Sequence, residues 1–204
     1  TENNKKQVNY ITRGSKISTK NNVISNWIKN VNNIVIVGAM ANNFLQFNGF
    51  NIGKSKVEKN TSKIINNIYL EAKKNNCKII IPEDCNVAYN LDGSGVSKEM
   101  NDISKEEMIL DIGPKTLKKI FDIIDNTNTV LWNGPAGYFE NENFSVGTRL
   151  IAKKISENTE KKSLISILGG GDTISAINKS GMKLSFTHLS TAGGAFLEYL
   201  EGKD

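Results

Sequence analysis

Among the 204 residues there are two cysteines, Cys77 and Cys85, and a single histidine, His188. Two cysteines exclude a disulfide scaffold, and with one imidazole beside them a structural zinc site is not expected. Chemistry that needs several imidazoles has too few residues to use. Arginine is equally scarce: Arg13 and Arg149 stand against 24 lysines. A reader of nucleic acid more often carries arginine forks for phosphates and bases. No apolar run approaches the ~20 residues that span a bilayer. The opening Thr1-Glu2-Asn3-Asn4-Lys5-Lys6 has no apolar region behind its charges, so it does not read as a secretory signal. The expectation is a cytoplasmic monomer that binds neither nucleic acid nor membrane.

What is present is ordinary for a globular chain: 38% hydrophobic and 23% charged residues, with a net charge of +5. The length suffices for one domain with a real core. The lysines are scattered, and their longest runs are pairs such as Lys5-Lys6 and Lys153-Lys154. With the abundant asparagines they read as solvated surface rather than as a polyanion-binding patch.

Short apolar runs alternate with longer amphipathic segments. Residues 8–12, 34–37, 78–81, 129–132, 163–168 and 185–189 read as strands. Unbroken Ile/Val/Leu runs such as Ile34-Val35-Ile36-Val37 suit strands buried on both faces, as in a parallel sheet. Residues 20–31, 40–48, 60–75, 115–125 and 146–157 read as helices, and two shorter ones begin at Asp172 and Gly194. This predicts a doubly wound, mostly parallel six-stranded sheet with helices on both faces, a Rossmann-like three-layer sandwich in one domain over 1–204. Residues 83–110 break the rhythm as an excursion of loops or short strands. Ligands of such sheets bind beyond the carboxyl ends of the strands. The glycine clusters fall there: Gly38, Gly134-Pro135, Gly169-Gly170-Gly171 and Gly193-Gly194 each follow an apolar run.

Leu168-Gly169-Gly170-Gly171-Asp172-Thr173 is the sharpest motif. Three glycines admit a ligand close to the backbone, and the helix that follows offers free amides to an anion. Asp172 suits a Mg²⁺ that bridges phosphates. A tight turn with an Asp cap would need one glycine rather than three. Ser190-Thr191-Ala192-Gly193-Gly194-Ala195 has the same form, and simple helix capping explains it as well. His188, in the strand before, reads as a core histidine. Lys16 and Lys20, four apart after the first strand, would share a helix face with an anion between them, although in a chain this rich in lysine the spacing also arises by chance. Gly49-Phe50-Asn51-Ile52-Gly53-Lys54-Ser55 has one residue too few between its glycines for a P-loop and reads as a turn with a surface lysine. Trp132 to Glu140 is a rigid loop whose Asn133 and Glu140 suit a ribose or a base, or a turn closed by aromatic packing.

Taken in order, these segments resemble the C-terminal, nucleotide-binding half of phosphoglycerate kinase. Gly14-Ser15-Lys16-Ile17-Ser18-Thr19-Lys20 is similar to the family's Gly-Ala-Lys-Val-Ser-x-Lys, and Gly38-Ala39-Met40-Ala41 to its Gly-Gly-Met-Ala. Asp111-Ile112-Gly113-Pro114-Lys115-Thr116 is a family segment without change. Residues 132–140 resemble Trp-Asn-Gly-Pro-Met-Gly-Val-Phe-Glu, and 169–173, 188–195 and 201–203 complete the series. The resemblance implies phosphoryl transfer between 1,3-bisphosphoglycerate and Mg-ADP, giving 3-phosphoglycerate and ATP, in glycolysis. It assigns Lys16, Gly171 and Gly194 to catalysis. It assigns Lys20, Gly38, Ala39, Ile109, Asn133, Pro135, Glu140, Gly170, Gly171, Asp172 and Thr173 to the nucleotide, and Asp172 to Mg²⁺.

Three residues depart from the pattern. Arg13 stands where the family usually has Gly and would crowd the phosphate loop. Ile109 stands in place of a Gly against the adenine and would narrow the base slot. Ala39 replaces a nearby Gly to smaller effect. The family's N-terminal domain, which binds phosphoglycerate and supplies an arginine, has no counterpart here, so the chain is expected to be inactive alone. The other readings are a decayed or repurposed remnant without catalysis and a dinucleotide-binding oxidoreductase. For the latter no Gly-x-Gly-x-x-Gly follows the first strand.

Overall fold

The structure, a computed structural model, describes residues 7–191. Six strands form one sheet: β1 (Val8–Arg13), β2 (Asn33–Val37), β3 (Lys78–Ile80), β7 (Thr129–Asn133), β8 (Ile165–Gly169) and β9 (His188–Ser190). Their order is β3-β2-β1-β7-β8-β9, and every pair is parallel. All six expected strands are present in the expected kind of sheet.

The helices follow from residue spacing. In α4 (Pro114–Asp125), Leu117, Ile120 and Ile124 turn inward and Pro114 opens the first turn, where its missing N–H costs nothing. The helices α1 (Ile17–Ile28), α2 (Ala39–Phe47) and α3 (Ser62–Lys74) cover one face of the sheet; α4, α5 (Val146–Lys161) and α6 (Gly171–Lys179) cover the other. Alternate side chains of the strands supply the two cores. Tyr10, Ile34, Ile36 and Leu131 enter the first, while Ile11, Val35, Val37, Val130 and Trp132 enter the second. Each such side chain contributes roughly 1.5–3 kcal/mol by burial, so the unbroken apolar runs serve both layers at once.

Residues 83–110 become a second, antiparallel sheet of β4 (Asp84–Ala88), β5 (Val96–Glu99) and β6 (Met108–Ile112), in the order β5-β4-β6. This flap is fixed by two buried carboxylates at helix N-termini. Asp84 accepts the N–H groups of Lys115 and Thr116 at 2.9 Å each and the Thr116 hydroxyl at 2.7 Å, closing the start of α4. Asp111 accepts the N–H of Gly147 at 3.0 Å, at the start of α5. Orphan helix amides and the helix dipole both favour a carboxylate there. The Gly53-Lys54-Ser55 turn braces the same flap: Lys54 donates its N–H to the Glu107 carbonyl at 2.8 Å, and Ser55 Oγ accepts the N–H of Ile109 at 2.8 Å. It is a turn with an exposed lysine, as expected.

Three expectations are corrected. The helix expected over 20–31 runs from Ile17 to Ile28, because Glu58 Oε2 accepts the Ser18 N–H at 3.1 Å and caps the helix from a distant segment. The strand expected over 185–189 is shorter and later, at His188–Ser190, on the sheet edge with β8 as its neighbour. His188 is accordingly exposed rather than a core histidine. Gly193 and Gly194, with the helix expected from Gly194, lie outside the described residues.

Candidate functional site

Chain order reverses between β1 and β7, so the crevice of a doubly wound sheet should open beyond their carboxyl ends. A cavity of about 420 Å³ lies on that rim. Most of its wall comes from four segments: Arg13, Gly14 and Ser15 after β1; Gly38, Ala39, Asn42 and Leu45 after β2; Met108 to Ile112 of the flap; and Ala136, Gly137, Tyr138 and Glu140 after β7. The size and mostly apolar lining suit a planar organic group. Of the expected nucleotide residues, Gly38, Ala39, Ile109 and Glu140 line this cavity. Ile109 thus forms part of the wall, and the cavity remains open beside it.

The second part of the site is the start of α6. Gly170, with φ +99°, makes the turn from β8, a conformation an L side chain would strain. A Cβ placed on Gly171 would meet nothing within 4 Å, so the backbone there faces open space. Among the described residues no side chain caps the helix, and the amides of Gly171, Asp172 and Thr173 have no carbonyl behind them within it. The Thr173 hydroxyl is fully buried and accepts the Gly134 N–H at 2.7 Å, fastening the β8–α6 turn to the loop after β7. Asn133 Oδ1 lies 3.6 Å from a Cβ built at Gly170, and Pro135 is buried in the same loop. Asn133, Gly134 and residues 170–173 therefore form a second cluster beside the cavity, and Pro135, next in the loop, does not line the cavity either.

Arg13 joins the two. Its Nη2 lies 2.9 Å from Asp172 Oδ2 while the same side chain lines the cavity. The stem of Arg13 packs on bare backbone: a Cβ on Gly38 would fall 3.1 Å from Arg13 Cβ, and one on Gly134 would run into Arg13 Cγ. Both glycines have positive φ, 70° and 103°. The crowding expected of Arg13 is thus an ion pair across the sheet. Lys20 adds a further cation. Its Cγ lies 3.0 Å from a Cβ built on Gly14, and burial first and the Arg13 charge second push its ammonium below the usual lysine range. The expectation that Lys16 and Lys20 share a helix face is not met: Lys16 is extended (φ −133°, ψ 126°) ahead of α1. Lys16 is exposed and close enough to Glu58 to help lower that carboxyl.

Two features of the candidate site escape sequence inspection. Asp111 lines the cavity, and burial pushes its carboxyl up to about 7 although the amides of Gly147 and Ile112 and the Arg149 charge oppose this. Its sequence signal is its place two residues before the Gly-Pro that starts α4, in the segment similar to the family's. The Arg13–Asp172 pair joins residues 159 apart, which no local pattern reports. Among the described residues no three His, Cys, Asp or Glu cluster as a metal cage, and no helix is long and apolar enough to cross a membrane.

Fold and crevice define a doubly wound α/β protein with a ligand-sized cleft at its topological switch point. Comparison with known proteins narrows this. The family model for phosphoglycerate kinase matches residues 1–203, so the chain belongs to the phosphoglycerate kinase family. It is 46% identical over 201 residues to phosphoglycerate kinase of Wolbachia pipientis wMel, covering 98% of this chain and 50% of that protein. With phosphoglycerate kinase of Bradyrhizobium diazoefficiens the identity is 44% over 200 residues, covering 97% of this chain and 50% of that protein. The structure of phosphoglycerate kinase from Coxiella burnetii superposes with a TM-score of 0.89 at 36% identity, over 100% of this chain and 52% of that one. The chain spans about half the length of the relatives it matches, and the part matched is the C-terminal half.

Proposed function

We propose that this chain is the nucleotide-binding half of a phosphoglycerate kinase, a single cytoplasmic domain over residues 1–204. It holds ADP or ATP and turns over only with the phosphoglycerate-binding half of the family. Nucleic acid and membranes are not its ligands, and alone it is a monomer. The observation that carries this reading is the convergence, at one rim, of an apolar cavity and the uncapped start of α6. The base enters the cavity against Gly38, Ala39 and Ile109. The loop of Asn133, Pro135 and Glu140 positions the nucleoside. The amides of Gly170 to Thr173 receive phosphate charge, assisted by Lys20.

Mg²⁺ in nucleotide sites takes one or two carboxylates and completes its shell with phosphate and water. Asp172 is of that donor type and its side chain is 66% exposed at the start of α6, but its Oδ2 already accepts from Arg13 at 2.9 Å, so the residues present do not fit the ion there. In the reaction a terminal oxygen of ADP forms the new P–O bond while the acyl-phosphate P–O bond breaks, releasing the carboxylate of 3-phosphoglycerate. Such transfer needs positioning and charge, with no protein nucleophile. Lys16 and the backbone at Gly171 and Gly194 would stabilise the moving phosphoryl group.

Titration calorimetry of the chain with ADP and Mg²⁺ tests the reading. Saturable heat below millimolar ADP is expected. Absence of heat and of any thermal shift at millimolar ADP would overturn it in favour of a repurposed remnant, the reading favoured by Arg13 on the Asp172 carboxylate.

A further inference from the structure

Arg13 is built into the rim rather than laid over it. It ends β1, the strand between β2 and β7 at the switch point. The loops after those two neighbours place Gly38 and Gly134 on either side of its stem. The backbone at both glycines has positive φ; a side chain at Gly134 would collide with Arg13, and one at Gly38 would press on it at 3.1 Å. So held, the guanidinium reaches across β7 to the first turn of α6 and donates to Asp172 Oδ2 at 2.9 Å. Its side chain stays 30% exposed and lines the cavity. A guanidinium has five N–H donors, and one bond to Asp172 leaves others for an anion. Lys20, whose stem packs against Gly14, brings a second cation near Arg13.

We propose that Arg13 is a resident counter-cation of the phosphate site. It occupies the carboxylate a divalent ion would need and meets the nucleotide phosphates with its remaining donors, so that this chain binds nucleoside diphosphate with little dependence on Mg²⁺. The inference rests on the reading of the rim as a nucleotide site. The physical basis is competition for one oxygen: Asp172 Oδ2 cannot serve the guanidinium and a metal in full at the same time. Arginine is also suited to phosphate, because its planar fork matches two oxygens and never loses its charge.

The test is calorimetric titration of the chain with ADP in excess MgCl₂ and in EDTA, for the wild type, Arg13→Gly and Arg13→Met. Methionine keeps the stem that packs on Gly38 and Gly134, so a folding defect in the glycine variant leaves the question decidable. For the wild type, affinity should change less than about threefold between the two buffers, and for both variants Mg²⁺ should improve it about tenfold or more, the size expected of one charge-assisted contact. An equal Mg²⁺ response in wild type and variants overturns the inference while leaving the nucleotide site intact. Binding by the variants but not by the wild type overturns it too, since Arg13 would then be a plug. No binding by any protein in either buffer removes the nucleotide site itself.

Discussion

Replacing Asp84 by alanine should cost far more than one surface carboxylate, and the size follows from its contacts. The side chain is 3% exposed and receives two backbone N–H groups of α4 and the Thr116 hydroxyl, at 2.9, 2.9 and 2.7 Å. Hydrogen bonds to a charged acceptor contribute about 1.5–3 kcal/mol each, though three that share one carboxylate do not add in full. Losing a helix cap alone costs about 1 kcal/mol. Two helix N–H groups lose their acceptor, while the Thr116 hydroxyl can turn to the Asp84 carbonyl at 3.2 Å, which sets a net loss of about 3 kcal/mol. With a urea dependence on the order of 2 kcal/mol per molar, the unfolding midpoint should fall by roughly 1.5 M. Asp84→Asn keeps the shape but loses the charge, and its amide must turn an N–H toward a backbone donor, so it should lose about half as much. Because the flap hung on this cap carries Met108 and Ile109 of the cavity wall, ADP affinity should fall in Asp84→Ala as well. A midpoint within roughly 0.3 M of wild type would refute the claim that this carboxylate fixes the flap.

Asp111 predicts an unusual pH profile. Its carboxyl is raised from 3.8 to about 7 in the folded chain, so the unfolded chain releases this proton first, and stability falls as pH rises from about 4 to about 7 and levels beyond. The full loss is about 4 kcal/mol, at 1.36 kcal/mol for each unit. Asp111→Asn should flatten urea midpoints measured at intervals across that window, and an unchanged slope would show that Asp111 does not cause it. Asp125, held down to about 2 by Asn158 and by Lys154 and Lys162, acts in the opposite sense and only in acid below that window. Gly134→Ala should destabilise the chain by about 2 kcal/mol, since it combines a positive φ with a collision on Arg13. In the Arg13→Gly background the collision disappears, so the double-mutant cycle should show coupling; strict additivity of thermal midpoints would contradict the packing described.

The sheet was legible in the sequence because strands buried on both faces leave an unbroken apolar signature, as in Ile34 to Val37. Its rim was legible because glycine collects where chain must turn sharply. The register of the flap was not, since Val96 to Glu99 is mostly exposed and has no apolar alternation. Asp84 and Asp111 look in sequence like any polar residue, because their partners are helix amides of elements that follow them. His188 misled for a related reason: a strand at the edge of a sheet, beside apolar residues, resembles a buried one until its neighbours are counted. Arg13 drew notice as a departure from family pattern, but only folding brings it to Asp172.

The central claim is that base and phosphate occupy two adjoining parts of one rim, and amide resonances of the isotope-labelled chain test it most directly. Adenosine should shift Gly38, Ala39 and Ile109 and leave the start of α6 unmoved, whereas ADP should shift Gly171, Asp172 and Thr173 in addition. Identical shifts from both ligands, or shifts confined to residues away from the carboxyl ends of β1, β2, β7 and β8, would contradict it.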